Sequence, residues 1–369
     1  MTTGYKQIDT EKTRCFCEAV FQGYGFNKDE SKIITDVLLR ADLYGIESHG
    51  VQRLIRYNEE ITSSQVDINA KTEIVHESPI SACIEANKVM GQLAATQAMT
   101  LAIEKAKKSG CAMITVRNSN HFGIAGYYAE MASAQDLIGV CMTNTEAICV
   151  PTFGSEAMTG TNAIALSMPA DPIPFSYDAS TTVVPRGKLE VYRKNGQPLP
   201  ELWAMDANGK PCTNAAEVID NIINKAGGGI APLGGAGTLN GGHKGYGLSV
   251  IVDLFSAVIS GGLTSNHVNR KPGHTGICHF FMAVDYGVFG DKKSIKDGMS
   301  KFLMEIRNSK KAEGHSRIYT HGEMEAELTA QRKNTQVPVN EKTLDEMMKI
   351  ARALNINLTE FTLPESSLL

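Results

Sequence analysis

The sequence of 369 residues lacks a surplus of basic side chains, a long apolar run and a large share of aromatic residues. Thirty-six lysines and arginines face 40 acidic residues, and the resulting net charge of −4 argues against nucleic acid as a partner. No apolar run approaches the roughly 20 residues that a membrane-spanning helix needs, so we expect no membrane partner. With 7% aromatic residues and 34 glycines, the composition favours an α/β protein over an aromatic-rich β-sandwich.

The cysteines and the beginning of the chain indicate a compartment. None of the eight cysteines forms a Cys-x-x-Cys pair, and several lie in apolar, strand-like runs where a free thiol behaves as a small hydrophobic side chain. Residues 1–14 are polar and of mixed charge, without the apolar segment of a secretory leader. We therefore expect a reduced, cytoplasmic protein.

Four common catalytic motifs are absent from the sequence. There is no Gly-x-Gly-x-x-Gly dinucleotide fingerprint and no Gly-x-x-x-x-Gly-Lys-Ser/Thr phosphate loop. There is also no His-Glu-x-x-His motif or paired Cys/His cluster, so we expect no metal site. The Gly-x-Ser-x-Gly nucleophile elbow is missing as well. These absences argue against a conventional Rossmann oxidoreductase, a nucleoside triphosphatase, a zinc enzyme and a serine hydrolase.

The hydrophobic pattern divides the chain into two helical ends and a mixed middle. Residues 1–72 and 296–369 have helical spacing, and we expect them to form one helical domain. Residues 73–295 alternate short apolar strands with helices, which predicts βαβ units and an α/β domain that carries the cofactor. Within this middle part, residues 145–240 read as a loop-heavy region and residues 248–259 as a buried helix.

A cluster of polar residues follows a helix that the pattern predicts from Asn27 to about Gly45. Ser48 and His49 come at its far side, and Arg53 and Tyr57 lie about one helical turn apart shortly afterwards. A guanidinium group there can hold a carboxylate with two parallel hydrogen bonds. The alternative is that His49 caps a helix end and that Arg53 lies on a solvated face, and spacing alone leaves both interpretations open.

Two further polar segments directly follow apolar strands. His121 lies where one predicted strand gives way to a helix, and Thr145 and Glu146 follow the next strand. In an open α/β sheet ligands bind beyond the carboxyl ends of the strands, so both segments are candidates to line one crevice. An ordinary turn or helix cap is an equal alternative for His121.

Three other segments are candidates for contacts with a cofactor. Residues 178–182 offer one carboxylate and small hydroxyl groups to a ribose or to phosphates, although without other support an Asx or ST turn is the favoured explanation. Lys244 lies among glycines ahead of an apolar helix, where free N–H groups favour an anion; the alternative is a flexible loop. The segment with His315 and Arg317 is typical of a connecting turn, but we assign both residues to the cofactor.

Six segments in this order resemble the malate/L-lactate dehydrogenase family, whose members use NAD(P) without the Rossmann fingerprint. The segments are GIESHGVQRL, NSNHFG, TNTEAICVPTFG, GTNAIAL, DAST followed by PRGK, and GGHKGYGLSVIVDL. The ordered set covers most of the chain and is far more specific than any one of its members. The family also includes sulfolactate and ureidoglycolate dehydrogenases and diketogulonate reductases.

The resemblance implies hydride transfer between a nicotinamide cofactor and a small 2-oxo or 2-hydroxy acid, with malate and oxaloacetate as the first expectation. It implies that His49 or His121 is the acid–base group, and that Ser48, Arg53 and Tyr57 bind the substrate. The cofactor positions that it implies are Thr145, Glu146, Asp178, Ala179, Ser180 and Lys244. It also implies a helical domain joined to a non-Rossmann α/β domain, and a homodimer.

Several alternatives remain at the level of sequence. The same scaffold can act on lactate, sulfolactate, ureidoglycolate or a cyclic imine, and the same crevice can serve a ligand-binding module without catalysis. The usual indicator that separates NAD from NADP belongs to the Rossmann motif, which is absent here. NAD is the expected cofactor and NADP is the alternative, and no motif in the sequence decides between them.

Overall fold

The computed structural model describes residues 4–269, 273 and 275–357. Within them the helices are α1 Thr10–Tyr24, α2 Lys28–Leu43, α3 Leu54–Thr62, α4 Gly91–Ser109, α5 Ala125–Ser133, α6 Arg186–Asn195, α7 Ala215–Asn224, α8 Gly242–Asp253, α9 Lys292–Asn308, α10 Glu323–Arg332 and α11 Glu341–Ala353. The strands are β1 Tyr5–Asp9, β2 Glu73–Ser78, β3 Ser81–Glu85, β4 Cys111–Ser119, β5 Ile138–Thr143, β6 Ala163–Met168, β7 Phe175–Ala179, β8 Ala204–Met205, β9 Gly229–Ile230, β10 Ile277–Val284 and β11 Gln336–Asn340. None of these helices is long and apolar enough to cross a bilayer.

A seven-stranded mixed sheet with the strand order β2-β3-β4-β10-β5-β6-β7 forms the centre of the molecule. β3 and β4 run parallel and are connected by α4, whereas the other neighbouring strands pair antiparallel. The predicted α/β class is confirmed. One of the expected βαβ units is present as β3-α4-β4. β5 does not pair with β4, because β10 comes from much later in the chain and lies between them.

Helices α4 and α5 pack on the sheet over a hydrophobic core. The inner face of α4 is made of small side chains, which allow its backbone to lie close to the strands. The fully buried alanines of this face are Ala94, Ala95, Ala98, Ala102 and Ala106. A Cβ atom added to Gly91, at the start of α4, would lie 2.4 Å from the carbonyl oxygens of both Asn120 and His121. The first turn of α4 is therefore held against the segment that follows β4.

The two ends of the chain pack around a second core. α1, α2 and α3 contribute from the beginning of the chain, and α11 contributes from its end. β1 and β11 pair antiparallel, with Tyr5 opposite Asn340. This packing is the arrangement that the sequence pattern predicts for the helical ends, while the exact domain bounds at residues 72, 73, 295 and 296 stay a prediction.

The region predicted to be loop-heavy, residues 145–240, is more ordered than expected. It contains α6, α7 and the β8–β9 pair, and these elements share a hydrophobic core of their own. Val218, Ile219 and Ile222 form the buried face of α7. The many Gly, Pro and Asn residues hide this pattern because the elements are short.

The helix predicted as buried over residues 248–259 is exposed along one side. It begins at Gly242, and the π-helical turn Leu254–Val258 extends it. Four apolar side chains spaced three or four residues apart have exposed fractions of 38%, 40%, 44% and 56%: Leu248, Ile251, Leu254 and Val258. An apolar run does not distinguish a helix buried in its own core from a helix that offers a face to another chain.

Candidate active site

His121 lies between β4 and α5, and its imidazole ring forms a hydrogen bond with Tyr57 of α3. The hydroxyl oxygen of Tyr57, on α3, is 2.8 Å from Nδ1 of His121. Gln92 donates from Nε2 to the same hydroxyl at 2.9 Å, and the backbone N–H of Gly123 points to Nδ1 at 3.4 Å. Nδ1 is thus engaged within the protein, whereas Nε2 has no hydrogen-bond partner among the residues that the structure describes.

The 3-10 turns Glu47–His49 and Val51–Arg53 bring the other predicted residues to His121. The imidazole ring of His49 stacks on that of His121, with ring centroids 5.5 Å apart and an interplanar angle of 24°. Nδ1 of His49 is 3.0 Å from Ser48 Oγ, and Arg53 Nε donates to the carbonyl oxygen of Ser48. Ser48, His49, Arg53, Tyr57 and His121 therefore form one group, the histidine cluster.

Arg53 is the cation of this cluster that has no acidic partner. Its side chain is partly buried, and no carboxylate lies within ion-pair distance of it in the described part of the chain. Burial and the neighbouring charge of Arg56 lower the pKa of Arg53. Arg56 itself pairs with Glu60, at 2.7 Å between Nε and Oε1. A partly buried guanidinium group without a counter-ion is well suited to bind an anion.

Burial and nearby positive charge keep both histidines of the cluster neutral. Burial lowers the pKa of His49 to about 3, and the charges of Arg53 and Arg56 act in the same direction. Burial also holds the pKa of His121 well below its ordinary value, with smaller contributions from Arg56, His49 and Arg53. An anion bound beside the guanidinium groups would remove part of this repulsion and raise both pKa values.

A buried carboxyl group that the sequence analysis missed supports the turns of the cluster. Asp42, on α2, is 2% exposed and accepts a hydrogen bond from the N–H of Val51 at 2.9 Å. A Cβ atom at Gly50 would lie 1.8 Å from Oδ1 of Asp42, so the turn requires glycine there. Burial raises the pKa of Asp42 to about 8. The available signal was an acidic residue on the apolar face of α2.

A third buried histidine, also missed, connects the ends of β4 and β5. His279, on β10, lies 2.8 Å from Thr143 Oγ1 and 3.0 Å from Ser119 Oγ, and its ring stacks on Phe122 at 4.4 Å. Burial lowers the pKa of His279 to about 3, so it is neutral. It holds in place the end of β4, which leads to His121. The sequence signal for this role is limited to a histidine within an apolar strand.

Thr145 adjoins a buried polar network between the sheet and α8. The carboxylate of Asp253 accepts hydrogen bonds from Asn144 at 3.0 Å, from Asn162 at 2.9 Å and from the backbone of Ser265 at 2.9 Å. The backbone N–H of Thr145 donates to Asn162 Oδ1 at 3.2 Å. The network fixes α8 relative to the carboxyl end of β5.

Asp178, Ala179 and Ser180 lie at the end of β7, next to the beginning of α5. The N–H of Gly126, in the first turn of α5, donates to Asp178 Oδ2 at 2.7 Å. Because α5 follows His121 closely in the chain, this hydrogen bond places Asp178 near the histidine cluster. Ser180 bonds within its own turn, from Oγ to the carbonyl oxygen of Thr182 at 3.3 Å.

Three predicted cofactor residues have contacts elsewhere. The carboxylate of Glu146 is 3.5 Å from Lys225 Nζ. Arg317 pairs with Glu323 at 3.0 Å, and His315 is exposed in the connection that precedes it. None of these contacts joins Glu146, His315 or Arg317 to the histidine cluster, so their roles toward the cofactor stay predictions.

The N-terminus of α8 has the features of an anion site. Its cap residue, Gly241, provides no side-chain hydrogen bond to the first turn, and Lys244 is exposed without an ion pair in the described ranges. Free N–H groups, the helix dipole and an ammonium group together suit a phosphate. Leu233 packs on Gly245 and donates its N–H to Thr181 at 2.8 Å, so this terminus adjoins the turn after β7. These residues fit the pyrophosphate of a dinucleotide.

Comparison with known proteins gives a consistent result. The family model described as Malate/L-lactate dehydrogenase matches residues 8–348. A malate dehydrogenase of Pyrococcus abyssi is 43% identical over 95% of this chain and 96% of its own length. An L-sulfolactate dehydrogenase of Methanocaldococcus jannaschii is 35% identical over 93% and 95%, respectively. The crystal structure of malate dehydrogenase from Entamoeba histolytica superposes with a TM-score of 0.92 at 33% identity, covering 98% of this chain and 99% of that chain.

We expect Asp42→Asn to stabilise the protein at pH 8 and to change its stability little at pH 4. The pKa of Asp42 is about 8 in the folded state against 3.8 for the free side chain, so folding binds a proton between these values. The contribution of Asp42 to stability therefore falls as the pH rises from about 4 to 8. Asparagine keeps an oxygen for Val51 and carries no charge.

Urea unfolding of both proteins across this pH range measures the effect. The difference between wild type and variant should grow with pH and reach about 1–3 kcal/mol at pH 8, within the usual range for a buried polar change. Stability curves that stay parallel from pH 4 to 8 would contradict the account of Asp42.

Proposed function

The chain belongs to the malate/L-lactate dehydrogenase family, and from that premise we propose that it interconverts malate and oxaloacetate with a nicotinamide cofactor. The proposal takes NAD as the cofactor, as the family resemblance implies, and keeps NADP as the alternative. The observation that carries it is Arg53, a partly buried guanidinium group without an acidic partner among the described residues, beside two neutral histidines. A 2-oxo acid presents a carboxylate next to the oxygen that is reduced, and the cluster offers a matching group for each.

A second guanidinium group favours a dicarboxylate over a monocarboxylate. The charges of Arg53 and Arg56 both lower the pKa values of His49 and His121. An anion bound beside the two histidines would therefore be attracted by both guanidinium groups. Glu60 balances part of this charge but also fixes the position of the side chain. Two cations suit the two carboxylates of malate, whereas with lactate only Arg53 would meet a substrate carboxylate and Arg56 would keep Glu60 as its anion.

We assign the residues of the cluster as follows. Arg53 holds the C1 carboxylate, and Ser48 and Tyr57 orient the groups around it. Nε2 of His121 meets the 2-oxygen of the substrate and exchanges its proton with it, and His49 polarises the same oxygen. The nicotinamide, when bound, supplies or accepts the hydride. The carboxylates of the acid offset the charge of Arg53 and Arg56, so substrate binding favours protonation of His121.

The cofactor is assigned to the side of the crevice formed by β5, β7 and α8. The first turn of α8 and Lys244 hold the pyrophosphate, and the residues at the end of β7 and after β5 line the rest of the cofactor. The candidates on this side are Thr145, Asp178, Ala179 and Ser180. Glu146, His315 and Arg317 stay predicted cofactor residues, although their contacts in the structure lie elsewhere.

We also propose that the protein is a cytoplasmic homodimer. The eight cysteines are free thiols, which suits a reducing compartment. The exposed apolar face of α8 and its extension, formed by Leu248, Ile251, Leu254 and Val258, is the surface that a second copy would cover. Because the same helix presents Lys244 at its beginning, this interface would adjoin the cofactor side of the site.

Initial rates with a panel of acids test the proposed substrate. We expect kcat/KM to be highest for oxaloacetate, with pyruvate, phenylpyruvate, sulfopyruvate and a cyclic imine below it, because only the first matches both guanidinium groups with carboxylates. Each acid is measured with NADH and with NADPH. A higher kcat/KM for pyruvate would contradict the assignment of Arg56, and a higher value for sulfopyruvate would replace malate by sulfolactate.

We expect Arg53→Lys to raise KM for oxaloacetate and to leave the Kd for NADH unchanged. Lysine keeps the charge but loses the planar pair of N–H donors, a loss of about 1.5–3 kcal/mol, or roughly 10–150-fold. Arg193→Lys, on the exposed face of α6, is the matched control. A weaker Kd for NADH in Arg53→Lys with KM unchanged would move Arg53 to the cofactor.

We expect Lys244→Ala to weaken NADH binding two- to fivefold, because an exposed charge at a helix terminus contributes about 0.5–1 kcal/mol. The effect should shrink as salt rises. Titration with NADH in the absence of acid measures it, with Lys301→Ala on α9 as the control. Unchanged affinity for NADH combined with a collapse of turnover would instead place Lys244 at the substrate.

A further inference from the structure

Gln92 has a buried side-chain amide of which only the nitrogen forms a hydrogen bond within the described residues. It lies in the first turn of α4 and is fully buried. Its Nε2 donates to the hydroxyl of Tyr57 at 2.9 Å, while Oε1 is buried with no hydrogen-bond partner in the described residues. A buried carbonyl oxygen without a donor is costly, so its presence beside an active-site tyrosine calls for a reason.

The hydrogen-bond pattern defines where the proton of His121 lies in this state. Tyr57 accepts from Gln92 and has one hydrogen of its own to donate. The acceptor within reach is Nδ1 of His121, at 2.8 Å, and the N–H of Gly123 is directed at the same atom. Nδ1 therefore accepts, and the proton of the neutral ring is on Nε2.

The proposed reaction needs His121 in two other forms. To reduce oxaloacetate, the ring must be an imidazolium, with hydrogens on both nitrogens, so that Nε2 can release one to the substrate oxygen. To oxidise malate, Nε2 must accept the hydroxyl proton, so the hydrogen of the neutral ring must be on Nδ1. In both forms Nδ1–H donates to the oxygen of Tyr57, and the hydrogen of that hydroxyl needs another acceptor.

We propose that Gln92 is a positioning residue that supplies this acceptor, so that the pair Gln92–Tyr57 allows Nδ1 of His121 to switch between accepting and donating. The inference rests on the proposed role of His121. Rotation of the amide places Oε1, instead of Nε2, toward Tyr57, and the hydroxyl turns to donate to it. The covalent bonds of Gln92 and Tyr57 stay unchanged. The neutral ring with its hydrogen on Nε2 takes up one proton from solvent and becomes the imidazolium. Release of the Nε2 proton to the substrate oxygen then leaves the neutral ring with its hydrogen on Nδ1, and oxidation of malate reverses these two transfers.

The surroundings of His121 make such an acceptor useful. Burial and the charges of Arg56, His49, Arg53 and His279 all lower the pKa of His121 and so oppose the imidazolium. Tyr57 is the remaining titratable group in contact with it. If Gln92 Oε1 accepts from Tyr57, the pKa of His121 is raised, because the form with a hydrogen on Nδ1 is then stabilised.

Two substitutions at position 92 should move the pH profile in opposite directions. Gln92→Glu, when ionised, only accepts, so the alkaline limb of kcat/KM for oxaloacetate reduction should shift upward by about one pH unit. Gln92→Met removes the acceptor together with the N–H donor to Tyr57, and loss of the acceptor should shift the limb downward and lower kcat about tenfold. Gln97→Met, at an exposed position of the same helix, is the control and should match wild type. If neither Gln92 variant moves the limb, the proposal is overturned.

Nitrogen-15 NMR of histidine-labelled enzyme tests the proposal without any substrate. In wild type at neutral pH, Nδ1 of His121 should be unprotonated, and in Gln92→Glu it should carry hydrogen; a protonated Nδ1 in wild type would overturn the inference.

In a Tyr57→Phe background, Gln92→Met should have no further effect on kcat, and an additive loss would contradict action through Tyr57. If Gln92→Met does not fold, Gln92→Asn, whose amide is withdrawn by one carbon, should show the same downward shift. Normal tautomer shifts without turnover of oxaloacetate would refute the proposed substrate but not the role of Gln92.

Discussion

The hydrogen bond between Tyr57 and His121 joins the two halves on which the site depends. Tyr57 belongs to a helix in the core of the chain ends, and His121 belongs to the connection after a central strand of the sheet. The histidine cluster forms only where they meet, because Ser48, His49, Arg53 and Tyr57 come from the first half and His121 comes from the second. Because Tyr57 is fully buried, its hydroxyl must find partners within the protein, and this requirement fixes how the two halves meet.

Part of this site could be predicted from the sequence, because polar residues stand out at the ends of helices and strands. Ser48, His49, Arg53 and Tyr57 follow a helix, and His121 follows a strand, and the structure places all of them together. The family resemblance of the six ordered segments is confirmed by a match over residues 8–348.

The supporting residues could not be predicted in the same way. Asp42, Gln92 and His279 lie in apolar or small-residue stretches, where the pattern indicates burial but not a partner. Their partners are distant in sequence, as when Gln92 meets Tyr57 or His279 meets Thr143. The exposure of α8 was missed for a related reason. An apolar sequence predicts that the side chains are buried, but it does not say whether they pack within the same chain or against another one.

In the proposed site, the acid and the cofactor bind on opposite sides of one crevice. The proposed acid side is the histidine cluster, where Arg53 has no acidic partner among the residues that the structure describes. The proposed cofactor side is the N-terminus of α8, a helix that the buried network around Asp253 holds to the sheet. The same helix exposes an apolar face, so packing of a second copy against it would also fix the cofactor side of the site.

The central claim is that the histidine cluster is where the 2-oxygen of the acid reacts. A crystal structure with NADH and an unreactive dicarboxylate analogue of malate tests it most directly. We expect a carboxylate of the analogue on Arg53 and an oxygen of the analogue within about 3.2 Å of Nε2 of His121. An analogue bound beside the cofactor but away from both side chains would contradict it.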